Sequence, residues 1–132
     1  MSATDIDINL RELIRSELLS IPLDQWGFFF PVHVAVWRFL HGLKPTLIGE
    51  LDAGYDGEPY FKGRGAEWFI TSVTNNPRYV ELVEDIMYRV TSRLPPSSFE
   101  RGFVSESELP PLDPAIVDQL RTVVRSQVQN AV

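Results

Sequence analysis

Twice this chain writes a capping side chain followed at once by proline, at Asn76-Pro77 and at Asp113-Pro114. An Asn or Asp oxygen accepts from the free N–H groups of a helix's first turn, and a proline there loses nothing because its missing N–H had no partner. After each pair the apolar residues recur at helical spacing. Val80, Val83, Ile86, Met87, Val90 and Leu94 form one stripe, stopped by Pro95-Pro96, and Ile116, Val117, Leu120, Val123, Val124 and Val128 form the other. Stripes of this length must be buried against other elements, so the expectation is a mainly α (α+β) fold.

The remaining elements are read from the same rules. Asn9 is placed to cap a first helix, with Glu12 returning the bond and Ile8 stapled onto Leu13; Leu10, Leu13, Ile14, Leu18 and Ile21 then share a face until Pro22. Ala66, Phe69, Ile70 and Val73 predict a short helix from Ala66 to Val73. Between Pro31 and Gly42 the valines at 32, 34 and 36 alternate like a strand, while Pro31 and Gly42 punctuate like a helix; helix is favoured, since β-branched residues cost it only a few tenths of a kcal/mol each. Thr46 to Tyr55 and Glu58 to Phe61 flank Asp56-Gly57, the dipeptide of a two-residue type I′ hairpin turn, and Pro59 confines the second strand to an edge. Pro95 to Pro111 reads as one long irregular connection. The expected architecture is a single domain over residues 1–132, with four to five helices and one small β-hairpin.

The 132 residues suffice to bury roughly two thirds of the unfolded surface without a metal or disulfide, and the chain has no cysteine. The N-terminus is acidic where a signal peptide would be basic and then apolar, and the most apolar segment, residues 26–37, is too short to cross a bilayer. A soluble, cytoplasmic protein with no membrane contact is the expectation.

The hairpin region, residues 49–68, concentrates acids and glycines. Asp52, Asp56, Gly57 and Glu58 occupy places one, five, six and seven of a calcium-loop frame, but places three and twelve are Gly54 and Gly63, so no metal is assigned. Lys62-Gly63-Arg64-Gly65 leads into a helix but lacks a phosphate-binding fingerprint, and no cofactor is assigned either. The two histidines, His33 and His41, stand eight residues apart, about two helical turns. No serine sits in a nucleophile elbow, and Asp85 stands one turn from Arg89 in an ordinary ion-pair spacing, so no catalytic residue is assigned.

Charge placement carries the functional argument. The three strong helices hold six acids and seven bases, leaving twelve acids against five bases in the connections and termini of a chain whose net charge is −6. That surplus repels phosphate backbones, so no nucleic-acid partner is expected. Acids interleaved with aromatics at Asp52, Tyr55, Asp56, Glu58, Tyr60, Phe61 and Trp68 suit a basic protein partner, with aromatics as anchors and carboxylates speeding encounter. The leading class is therefore a non-catalytic binding module, of the inhibitor, immunity-type or adaptor kind. A second is a structural subunit that self-associates, as a homodimer, through Phe28, Phe29 and Phe30. A third is a small enzyme or ligand-binding protein that gathers His33 or His41 with Asp52, Asp56 or Glu58.

Overall fold

The computed structural model of the chain describes residues 3–54 and 57–130, with side chains from residue 9 onward except that of Phe28. Seven helices and one two-stranded antiparallel hairpin are found among these residues. In order they are α1 (Ala3–Ser20), α2 (Phe30–Leu43), α3 (Pro45–Ile48), β1 (Asp52–Ala53), β2 (Pro59–Tyr60), α4 (Gly63–Trp68), α5 (Pro77–Thr91), α6 (Pro96–Arg101) and α7 (Pro114–Asn130). Two turns of 3-10 helix, Leu23–Gln25 and Gly27–Phe29, lead into α2, and a π-helical turn, Phe69–Val73, continues α4.

Both Asx-Pro starts form as their chemistry requires. The Asn76 side chain accepts from the Arg78 and Tyr79 N–H groups at 2.9 and 3.4 Å, and the Asp113 carboxylate accepts from the Ala115 N–H at 2.9 Å. The stripes behind them are buried apart from Val80 and Val123, which are half-buried, and they pack α5 on α7. At the centre lies α2, which packs on α1, α3 and α7 and buries Pro31, Val32, Val34, Ala35, Val36, Trp37, Phe39 and Leu40. A helix enclosed on most sides is apolar most of the way round, which is why its valines also scan as a strand. One contiguous core joins all the long helices.

Four expectations are corrected. The first helix begins at Ala3, so Asn9 lies inside it and cannot be its cap; this moves Asp5 and Asp7 out of the connections and into a helical N-terminus, where the dipole favours acids. The stretch from Pro95 to Pro111 is not irregular throughout, because Pro96 starts α6 and Gly102, at φ 85°, ends it. Thr46 to Ile48 are helical rather than extended, since Pro45 suits a first turn and Gly49, at φ 75°, ends it. The second long helix gives out at Thr91, short of Leu94.

The expected Asp56-Gly57 turn is described only in part, because Asp56 lies outside the described residues. Asp52 pairs with Tyr60 and Ala53 with Pro59, and the Gly54 N–H donates to the Glu58 carbonyl, so the connection spans residues 55–57. Gly57 takes φ 80° and donates to the Gly54 carbonyl at 3.0 Å. A glycine takes such a left-handed conformation at no steric cost, as the close of a hairpin turn requires.

Candidate functional site

The hairpin is seated on the core by Phe61. Its ring lies 4.9 Å from Trp37, 5.0 Å from Phe69 and 6.4 Å from Phe30, centroid to centroid, within the range of favourable aromatic pairs. Trp68 is likewise half-buried against the core. Both rings spend part of their surface on the core. The exposed aromatic of the hairpin is Tyr60, at 42 % exposure, directly across the strand pair from Asp52. Asp52 forms an ion pair with Lys62 at 2.8 Å, and that hydrogen bond and charge hold its carboxyl below the usual carboxylate range. Glu58 is exposed and accepts from the Gln25 side chain at 2.7 Å. Tyr55 and Asp56 lie outside the described residues.

The connection from residue 95 to 113 treats its acids differently. Glu106 pairs with Arg15 at 3.3 Å, Asp113 with Arg89 at 3.7 Å, and Glu108 with Arg101. Glu108 also accepts from the Ser105 hydroxyl and N–H, and these bonds, with Arg101, hold its carboxyl down to about 2. Those acids are neutralised within the fold. At the hairpin, by contrast, neither Glu50 nor Glu58 has a cationic partner among the described residues.

The two histidines part company. His33 faces the core, where its Nδ1 and the Tyr79 hydroxyl meet at 2.8 Å and the rings stack at 5.7 Å. Burial pushes the Tyr79 phenol well above its ordinary value, so it keeps its proton and can donate. His41 stands at the other end of α2, beside a cleft of about 290 Å³ lined by Trp37, Arg38, His41, Glu50 and Leu51. A second cleft of about 360 Å³ shares Arg38 and Leu51 with it and continues to Glu17, Asp52, Gly57 and Pro59. Arg38 sits between the two and donates from Nε to the buried Glu17 carboxylate at 2.7 Å, tying α2 to α1. The structure thus brings His41 and Asp52 to neighbouring lobes of one groove and sends His33 elsewhere.

The two glycines flanking Arg64 have different local reasons, a positive φ of 81° at Gly63 and close packing at Gly65. Gly63 and Gly65 are part of α4, and a Cβ on Gly65 would run into the Ile48 carbonyl oxygen. Glycine lets α3 and α4 touch backbone to backbone. Phe30 is half-buried, and Phe29 holds φ 60°, the one non-glycine residue with positive φ among those described. The Phe28 side chain lies outside the described residues. No group of three or more His, Asp or Glu that could hold a metal ion occurs among the described residues, and no helix among them is long and apolar enough to cross a membrane.

The groove residue that sequence reasoning passed over is Trp37. Its spacing from His41, four residues on one helix, was visible, but nothing in the sequence told which polar groups the neighbouring chain would leave without partners. No protein family, curated protein or solved structure matches this chain.

Proposed function

We propose that this chain is a non-catalytic binding module that recognises a basic protein through the outer surface of its hairpin. The observation that carries the reading is the contrast in how acids are used. Three of the four acids of the 95–113 connection, Glu106, Glu108 and Asp113, pair with arginines of the fold, while at the hairpin Asp52 pairs with Lys62 and Glu50 and Glu58 form no ion pair among the described residues. Tyr60 supplies an exposed aromatic next to them, and Phe61 fixes the ledge on which they stand. A preorganised surface of this kind spends little ordering entropy on association, and its uncompensated carboxylates steer a positively charged patch.

The test begins with a photo-crosslinking residue at Tyr60 to capture the partner. Its association kinetics are then compared for the wild type and for Asp52→Asn/Asp56→Asn/Glu58→Gln. The triple variant keeps the wild-type melting profile, since exposed charges add little to stability. Its on-rate at low salt falls about tenfold and its salt dependence flattens, as expected when steering charges are removed. An on-rate that does not change takes the hairpin out of the interface.

A further inference from the structure

We infer that the cleft between the last turns of α2 and the chain at Glu50 and Leu51 binds a small zwitterion of the α-amino acid class. The argument starts from two orphaned nitrogens. The Trp37 indole Nε1 and the His41 Nδ1 are both buried and have no hydrogen-bond partner among the described residues, and Trp37 as a whole is only 1 % exposed. Folded interiors pair nearly all such groups, so each exception calls for a cause. These two residues stand four apart on one helix, hence on one face, and both line the same cleft. A shared ligand in that cleft gives both exceptions one explanation.

The chemistry of the lining sets the class of ligand. An indole N–H only donates, so the occupant must offer an acceptor to Trp37. Arg38 uses Nε on Glu17, and its two terminal amino groups remain to donate to the same acceptor, which a carboxylate satisfies best. Glu50, on the opposite wall, only accepts while ionised, and it forms no ion pair among the described residues. Arg38 lines the same cleft but makes no ion pair with Glu50, being tied to Glu17, so Glu50 is left to a donor from the occupant, and an ammonium answers with charge as well. His41 Nδ1 serves either side according to its tautomer. A bare anion would leave Glu50 opposed, and a bare amine would leave Trp37 unpaired. A carboxylate and an ammonium on one small molecule meet both walls, and about 290 Å³ is at the lower end of ligand pockets, which restricts the remaining side chain to a short one.

This inference shares Glu50 with the partner-binding reading, but none of Asp52, Asp56 or Glu58 lines this cleft, so the triple variant that tests the partner reading leaves the cleft intact and the two tests fail independently. It is tested on the full chain labelled with ¹⁵N, following the indole N–H signals of Trp26, Trp37 and Trp68, with Trp37→Phe used for assignment. Glycine, alanine and serine are the probes, with acetate and methylamine as half-ligands. Saturable movement of the Trp37 signal is expected with at least one amino acid, and on the order of tenfold weaker binding for each half-ligand. Glu50→Gln, at an exposed position that the fold does not lean on, is expected to weaken the amino acid on the order of tenfold while melting like the wild type. It keeps the test decisive if Trp37→Phe does not fold. A Trp37 signal that no probe moves at millimolar concentration means an ordered water only, and overturns the site. Acetate binding as tightly as the amino acids, or a Glu50→Gln variant that binds like the wild type, overturns the zwitterion assignment.

Discussion

The two ends of α2 carry the same residue type and put it to opposite use. At the N-terminal end His33 faces α5, a long helix that brings the Tyr79 hydroxyl to 2.8 Å and a ring to stack on. At the C-terminal end His41 faces the chain at residues 49–51, a short passage after Gly49 whose side chains at the cleft are Glu50 and Leu51. Whether a buried imidazole is a finished structural bond or an open one is therefore decided by the element opposite it. Long helices arrive with side chains in fixed register. A short connection brings mostly backbone, and leaves a space.

The first way to break this comparison is to remove the finished end. Tyr79→Ala takes away a fully buried ring and the hydroxyl bonded to His33, and a loss on the order of 3–5 kcal/mol in urea unfolding is expected. A loss under about 1 kcal/mol would show that α2 does not depend on α5 at this point. Gly65→Ala comes next and acts on the other end, because α3 hands the chain directly to the cleft wall. Alanine gains up to about 1 kcal/mol over glycine in a helix, but here its Cβ meets the backbone of Ile48, which cannot swing aside as a side chain would. Overpacking costs of about 1–3 kcal/mol exceed that gain, so a lower melting temperature is expected despite the better helix former. A higher one would show that the contact between α3 and α4 yields.

The smallest effect sharpens the contrast most. His41→Leu removes a polar ring whose Nδ1 has no partner to lose, and replacing an unpaired buried group by an apolar one is close to neutral or stabilising. Stability within about 0.5 kcal/mol of the wild type, or above it, is expected in the same urea experiment. A loss of 2 kcal/mol or more, of the size seen on breaking a made bond, would place a partner on His41 and erase the difference between the two ends of the helix.

What could be read in the sequence depended on how local the signal was. α5 and α7 were legible because cap, proline and stripe lie within a few residues of one another, and the Asp85–Arg89 pair formed at 2.7 Å as its spacing implied. α1 was misplaced because Asn9 with Glu12 satisfies a capping pattern that an uninterrupted helix can also contain. α6 was missed because six residues between two prolines and a glycine give no periodicity to count. In the hairpin Tyr60 and Phe61 are adjacent in sequence, and only the fold decides which one faces Trp37, Phe69 and Phe30. The cleft at His41 was invisible for a different reason, since a missing partner is a property of the whole packing around a group.

The π-helical turn at Phe69–Val73 remains, with the Thr74 N–H reaching back five residues to the Phe69 carbonyl at 3.0 Å. Thr71 and Thr74 hydroxyls donate to the Glu67 and Ile70 carbonyls at 2.8 and 2.7 Å, holding the widened turn open. Counted along the chain, such a turn is an ordinary helix carrying one residue too many. Each helical residue rotates the chain by about 100°. Deleting a single residue such as Ser72 would remove the extra residue, and the regular ladder would then conflict by about that angle with the packing of α4 and α5 on their shared core. The length of this turn therefore enters, together with the seat of Phe61 on the core, into the direction in which the hairpin faces.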